Sequence, residues 1–272
     1  MKYKILLKIV EIINVILLAF FLLFGIFLIN GSIERVAVKK EINNFKKRAV
    51  YEEKIIINGQ DVHVYKVNVK YEYEDINRPV FTRVVENNEV KYFIGGKTDI
   101  TLTSRNPFRL IDSSFVQDVT GMFSNWLYIG HATMNTTDNG SHYIESVGNQ
   151  KERNGVSEVE STWIETELRS GVDTNEIICL RLKNTTPEMR DKMVEDLRSK
   201  IGLKYNYNFF INHRKKYYCT DLITRTTDKF GIDINYDGLL AIGNDIILSK
   251  NTYIIFFLER IEKGVFHLYY LG

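Results

Sequence analysis

An unbroken apolar run near the N-terminus is the strongest hydrophobic pattern in the chain. Residues 12–29 read IINVILLAFFLLFGIFLI, and Asn14 is the only polar residue among them. At about 1.5 Å per residue, a helix of this length nearly crosses a hydrocarbon core of about 30 Å, and flanking apolar residues close the gap. Because a helix that is apolar on every side makes a poor surface helix, we expect an uncleaved transmembrane anchor within residues 1–32.

A cleaved signal peptide is the main alternative for this segment. It would have a shorter apolar region followed by small residues at the spacing of a cleavage site, and residues 28–32 lack that spacing. Basic residues are more numerous after the run than before it, which favours a cytoplasmic body, whereas the short N-terminal tail favours an exported one. We predict a single-pass protein of the cell membrane whose body lies outside the cytoplasm.

Alternation of apolar and polar residues begins after the anchor and divides the rest of the chain. Residues 33–50 are charged and compatible with a spacer helix, and residues 51–93 contain alternating stretches such as DVHVYKVNVKYEY between Asn and Gly turn signals. We therefore predict three parts: the anchor (1–32), a spacer helix with a small β unit (33–94), and a main domain (95–272).

The main domain combines several strand patterns with two helix patterns. The first helix begins at a Thr-Thr-Pro-Glu sequence in which Thr185 is the predicted cap, and it ends at Gly202. The second runs from about Tyr217 to Gly231. Strand patterns cover residues 99–102, 126–134, 141–148, 157–165 and 175–183, and a long loop separates the first two.

Composition narrows the function classes. The chain has 272 residues, of which 44% are hydrophobic, and it has 36 basic against 34 acidic residues. This composition excludes a disordered protein and argues against nucleic acid as a partner, because the chain lacks a large positive field. The glycines form no phosphate-binding loop and the sequence has no GxSxG elbow, so we predict no cofactor.

The two cysteines, Cys179 and Cys219, have different surroundings. They are too few for a disulfide scaffold or a paired-cysteine zinc site, although an exported chain can join them in one bridge. Cys179 lies in the apolar strand pattern IICLRL and fits a buried core residue. Cys219 lies at the predicted start of a helix, where partial positive charge and free N–H groups stabilise a thiolate. Cys219 is therefore the candidate nucleophile.

A histidine and a carboxylate on neighbouring strand patterns are the candidate partners of this thiol, which needs a base and a group that orients the base. His131 follows Gly130, whose missing side chain leaves room for a substrate or for the nucleophile helix. Strand alternation places Glu145 and His142 on opposite faces, so only one of them can share a face with His131 if the strands pair. This parity and the lack of an HExxH motif lead us to predict no metal site.

Four short motifs follow one another in a distinctive order: GHATM (130–134), YIES (143–146), GLKYNYNF (202–209) and YYCTDLI (217–223). This order resembles that of the circularly permuted NlpC-type papain-like cysteine hydrolases, in the YiiX-like branch distantly related to lecithin retinol acyltransferase. In that family a histidine strand precedes an acidic strand, and a tyrosine segment precedes the cysteine helix. Residues 220–221 are Thr-Asp where Ser-Glu is usual. The resemblance covers roughly the C-terminal two-thirds of the chain.

The resemblance implies an α+β fold with a papain-like core of permuted topology, in which an antiparallel sheet packs on the cysteine-bearing helix. It implies that Cys219 is the nucleophile, His131 the base, and Glu145 the group that orients the imidazole. It places Tyr205 and Tyr218 in the substrate site. The implied reaction is cleavage of an amide through a thioester, and cell-wall peptide is the nearest substrate for an exported, membrane-anchored protein.

Two other functions stay open at this point. The acyltransferase relatives imply a lipid-directed esterase or acyltransferase, and a membrane-tethered domain would meet lipids as well. A catalytically silent binding module tethered to the membrane would keep the fold without turnover. In that case the thiol of Cys219 would be no more reactive than an ordinary one.

Overall fold

The protein is α+β: a long N-terminal helix is followed by a large, mostly antiparallel sheet with short helices packed on it. The computed structural model describes residues 2–69, 71, 77–86, 89–105, 114–128, 130–148, 154–169, 176–209, 215–238 and 240–272. The helices are α1 (Lys2–Lys46), α2 (Ser114–Leu127), α3 (Trp163–Glu167), α4 (Pro187–Arg198), α5 (Cys219–Lys229) and α6 (Gly243–Leu248). The strands are β1 (Ala49–Ile57), β2 (Gln60–Val67), β3 (Phe81–Glu86), β4 (Glu89–Ile94), β5 (Ile100–Thr103), β6 (His131–Asn135), β7 (His142–Val147), β8 (Gly155–Glu160), β9 (Ile177–Leu182), β10 (Lys204–Tyr205), β11 (Lys216–Tyr217), β12 (Thr252–Glu262) and β13 (Val265–Leu271).

Helix α1 runs without a break from the apolar run into the body of the protein. Residues 12–29 are mostly exposed, and the helix is long and apolar enough to cross a membrane. Further along, Val38, Ile42 and Phe45 are buried at helical spacing and belong to the core. The predicted spacer helix is helical to Lys46, and it packs against α6 and β12 instead of separating the body from the apolar run.

Among the described residues, the central sheet has nine strands in the order β1-β2-β13-β12-β9-β5-β6-β7-β8. Neighbouring strands are antiparallel except β2 and β13, which run parallel. β1 and β2 precede the predicted boundary near residue 95, and the sheet continues across it, while β3 and β4 form a separate hairpin. The predicted strand residues 70 and 72–73 and the predicted turn at 87–88 lie outside the described residues.

Helix α2 is the main departure from the predicted elements. The pattern predicted a strand from residue 126, but the helix extends to Leu127 and β6 begins only at His131. The segment WLYI is apolar at every position, so it suits the buried end of a helix as well as a strand. Leu127 packs against α1 at Gly31, where an added side chain would clash with it. This contact between distant parts of the chain favours the helix.

Two smaller departures concern helix boundaries. Residues Trp163–Glu167 form α3, although the pattern predicted a strand through residue 165. Helix α4 is capped by Thr186, one residue after the predicted Thr185, and the Thr186 hydroxyl accepts a hydrogen bond from the Met189 N–H at 3.2 Å. Pro187 then occupies the first helical position, where a missing N–H costs nothing.

The burial of α1 leads us to expect unequal effects from two valines on this helix. Val38 is fully buried, whereas Val36 is 70% exposed. Because Val38→Ala removes two buried methyl groups, it should lower the free energy of unfolding by about 2 kcal/mol. Val36→Ala should change it by less than about 0.5 kcal/mol. Denaturant unfolding of the detergent-solubilised chain measures both, and equal effects would contradict the packing of α1 on the body.

Candidate active site

The pairing of β6 with β7 brings His131 and Glu145 together. In this antiparallel pair Thr133 lies opposite Glu145, and His131 shares the face of Thr133 because side chains alternate along a strand. Glu145 is therefore the diagonal neighbour of His131, and its Oε2 lies 2.8 Å from His131 Nε2. Glu145 is 4% exposed, so this contact is formed in a site largely closed to water.

His142 lies on the opposite face of β7. It is exposed, and its Nδ1 lies 3.2 Å from the Ser141 hydroxyl. The prediction that only one of His142 and Glu145 shares a face with His131 is confirmed. His142 therefore provides a matched control histidine on the same part of the sheet.

Cys219 is the first residue of α5. Tyr218 precedes it in an extended conformation (φ −91°, ψ 171°), and the Tyr218 carbonyl accepts the first helical hydrogen bond from Leu222 at 3.0 Å. The N–H groups of a first helical turn have no partner within the helix, and together with the helix dipole they favour a negative charge at this end. Helix α5 packs against β6 and β7, which brings the half-buried Cys219 thiol close enough to the His131 ring to raise the pKa of that imidazole.

The charge state of His131 follows from these contacts. Burial disfavours the charged imidazolium, but hydrogen bonds and charge interactions with Cys219 and Glu145 outweigh burial and raise the pKa of His131 from 6.5 to about 10. Since Nε2 faces Glu145, Nδ1 is left as the ring nitrogen that can exchange a proton with the sulfur. The arrangement thus favours the charged imidazolium form of His131.

The predicted substrate tyrosines both lie near Cys219. Burial raises the pKa of Tyr205, and the neighbouring charge of Cys219 adds to the effect. Burial also raises the pKa of Tyr218, followed by the charges of Asp221 and Cys219. Both phenols are therefore neutral near pH 7, and they can offer aromatic surface and hydroxyl groups beside the thiol.

Three aromatic residues near the site were not predicted. The Phe209 ring lies 5.3 Å from that of Tyr218, and the Tyr207 ring lies 5.0 Å from that of Tyr205. On the other side, the Trp163 ring lies 6.1 Å from His131. Residues 207 and 209 belong to the GLKYNYNF motif, in which the resemblance implied a role for Tyr205 alone. For Trp163 the sequence carried no usable signal, because the residue was predicted to lie on a strand.

The predicted role of Gly130 is wrong. A side chain at Gly130 would lie 2.2 Å from the Thr103 carbonyl oxygen and 2.5 Å from that of Arg105. The glycine therefore allows a neighbouring backbone segment to approach β6, and it leaves no space for a substrate. Gly148 has the comparable position near the site, since an added Cβ there would lie 2.9 Å from the Tyr205 ring.

Cys179 and Cys219 are both free thiols in the structure. Cys179 is fully buried in β9, where burial raises its pKa and keeps the thiol protonated. This agrees with its predicted place in the core. No disulfide bond joins Cys179 to Cys219 in the structure.

Comparisons with known proteins give no assignment for this chain. No protein-family model, no curated protein and no solved structure matches it. The resemblance to permuted papain-like hydrolases therefore stays a prediction that depends on the motifs and their order.

The contacts of His131 lead to an expectation for its titration. In the folded protein the imidazole should stay protonated at neutral pH and lose its proton as the pH approaches 10. Glu145→Gln and Cys219→Ser each remove one of the two partners that raise the pKa of His131, so each should lower that pKa below its value in the unmutated protein. Histidine NMR across a pH series measures it, with His142→Gln as the control. A pKa near 6.5 in the unmutated protein would contradict this assignment of charges.

Proposed function

We propose that the protein is a membrane-anchored cysteine hydrolase with a permuted papain-like core, in which Cys219 attacks an amide carbonyl. The observation that carries the proposal is the contact of one imidazole, His131, with both the Cys219 thiol and the Glu145 carboxylate. These three groups have the roles of nucleophile, base and orienting acid that thiol hydrolysis needs. The apolar run of α1 is the proposed single-pass anchor, and the body is proposed to lie outside the cytoplasm.

The proposed reaction has two steps. The Cys219 sulfur forms a bond to the carbonyl carbon, and the Cys219 N–H at the start of α5 stabilises the oxyanion. The His131 imidazolium gives its proton to the leaving amine as the carbon–nitrogen bond breaks, which leaves a thioester. A water molecule then loses a proton to His131 and attacks the thioester, which releases the carboxylic acid and leaves the Cys219 sulfur as a thiolate beside the His131 imidazolium, ready for the next cycle. Glu145 keeps the imidazole oriented throughout.

Cell-wall peptide is the substrate that we favour. A body held at the outer face of the membrane meets such peptides, and the hydrolysis of their amide bonds matches the chemistry of the triad. The aromatic residues Tyr205 and Tyr218 beside the thiol can pack against apolar parts of a peptide. Their neutral hydroxyls can hydrogen-bond its backbone.

A lipid-directed esterase or acyltransferase is the second candidate, and the position of the site near the apolar run supports it. Directly after this run, Asn30 Nδ2 donates a hydrogen bond to Asp237 Oδ2 at 3.0 Å. Leu127, at the end of α2, packs against Gly31. The end of α2 and the loop before α6 therefore lie on the side of the body that faces the proposed membrane.

The nucleophile is connected to the same side. Asn244 Nδ2 donates to the Trp126 carbonyl at 3.2 Å and so ties α6 to the end of α2. The Thr220 hydroxyl, next to Cys219, donates to the Ala241 carbonyl at 2.7 Å, two residues before α6 begins. A short series of contacts thus links the thiol to the end of the apolar run, and a lipid ester at the membrane surface is a reachable substrate.

The first test of the triad is the selective alkylation of Cys219. We expect iodoacetamide at pH 6.5 to label Cys219 and to leave Cys179 unlabelled, because Cys219 lies half-buried at a helix start beside His131, whereas Cys179 is fully buried. His131→Ala should slow this labelling by about tenfold or more, since the free thiol is mostly protonated there. Peptide mass spectrometry identifies the labelled cysteine, and Cys179→Ala gives the background.

His142→Ala is the matched control in this experiment, since His142 is exposed and lies on the opposite face of β7 from Glu145. It should leave the labelling rate unchanged. If Cys219 is labelled at the rate of an ordinary thiol in the unmutated protein and equally fast in both histidine variants, the hydrolase proposal is wrong. The silent binding module is then the better account.

The second test separates the two substrate classes. The full chain in lipid vesicles is given either cell-wall peptide fragments or fluorescent phospholipid, and the release of product is measured. We expect peptide cleavage that falls by roughly 10³-fold or more in Cys219→Ser. Release of fatty acid or lysolipid with the same dependence on Cys219 would transfer the proposal to the lipid-directed enzyme. If neither the peptide nor the phospholipid is cleaved while Cys219 is still reactive, both proposed substrate classes are wrong.

A further inference from the structure

Three carboxylates meet where α1 enters the body, well apart from the triad in sequence and in role. Glu34 lies on α1, Asp237 on the loop before α6, and Asp245 on α6. One oxygen of each lies within 4.8 Å of the others. Two ligands on opposite sides of a calcium ion are separated by about 4.6–5.2 Å, which is twice the usual Ca–O distance. The three oxygens are therefore spaced closely enough to share one such ion.

The buried members of this cluster have oxygens without partners. Glu34 is 3% exposed and Asp245 is 1% exposed. Glu34 Oε2 and Asp245 Oδ1 have no hydrogen-bond partner within the described residues, whereas Glu34 Oε1 accepts from the Asn30 amide at 2.6 Å and Asp245 Oδ2 accepts from the Ile242 N–H at 2.9 Å. Uncompensated charge at such depth is costly. Some positive charge, either a cation or bound protons, has to compensate it.

A fourth oxygen points to a cation. Asn244 is fully buried, its amide nitrogen faces Glu34 and donates to the Trp126 carbonyl at 3.2 Å, and its Oδ1 has no partner among the described residues. Protons on the carboxylates would leave this amide oxygen unsatisfied unless it accepts one of them, whereas a hard cation would bind it directly. Asp237 is exposed, so the cluster also has an opening through which an ion can enter.

We propose that Glu34, Asp237, Asp245 and the Asn244 side-chain oxygen bind one calcium ion at the junction of α1 with the body. The ligand set contains only oxygen, which suits calcium and disfavours zinc or copper. A bound ion would join α1 to α6 and to the loop between α5 and α6. The proposal is independent of the triad, and it lies outside the histidine strands for which the sequence predicted no metal.

The test uses the full chain in detergent, stripped of metals and titrated with calcium chloride at pH 8. This pH lies above the value of about 7 to which burial, together with the charges of Asp237 and Glu34, raises the pKa of Asp245. Calorimetry should show one site per chain with a Kd of about 10⁻⁴–10⁻³ M. At ~10 mM calcium, the Tm should rise by several degrees.

The variants decide whether the cluster is the site. Asp237→Asn and Asp245→Asn should each weaken calcium binding by about tenfold or more, whereas Asp233→Asn, an exposed residue of the same loop, should not. If the buried Asp245→Asn variant fails to fold, the exposed Asp237→Asn variant still gives the answer. Lack of saturable binding, equal binding in Asp237→Asn and unmutated chains, or an equal response to magnesium would each overturn the proposal.

Discussion

The site depends on the register between β6 and β7. Because side chains alternate along a strand, a slip of one residue would turn Glu145 away from His131 and put Ile144 or Ser146 in its place. The register is held by burial on both faces: Ala132, Met134 and Ile144 are almost fully buried on the side away from the pair. β5 adds a second constraint, since its Thr103 lies opposite His131. The histidine–carboxylate contact is thus a consequence of core packing.

The position of the nucleophile is set separately, by hydrogen bonds that buried hydroxyls make. Ser146, on β7 next to Glu145, donates to the Tyr217 carbonyl at 2.6 Å and so fixes the chain just before α5. Thr220 donates to the Ala241 carbonyl on the other side. With the chain held on both sides of Cys219, the helix begins at a defined point above the sheet. These two hydrogen bonds therefore determine where the thiol lies relative to the imidazole.

The elements that local pattern determines were predicted well, and those that depend on distant contacts were not. β7, β9, α4 and α5 follow from alternation, helical spacing and capping residues, and the face shared by His131 and Glu145 follows from parity alone. The end of helix α2 was missed because the segment WLYI, which begins in the helix and continues past it, is apolar at every position, and only packing at Gly31 distinguishes helix from strand. The parallel pairing of β2 with β13 joins residues about 200 positions apart, and no local pattern encodes such a pairing.

The carboxylate cluster was missed for the same reason. Glu34 lies in the charged segment that was predicted as a spacer helix, and no role was predicted for Asp237 or Asp245. They form a cluster only because α1 continues into the core, where Val38 and Ile42 are buried.

Helix α1 is also unbroken between the apolar run and the body. Because α1 is one continuous helix, it sets the height and tilt of the body relative to the apolar run, and with them the distance of Cys219 from the proposed membrane. A substrate has to come to that level, and this geometric limit applies equally to a peptide and to a lipid.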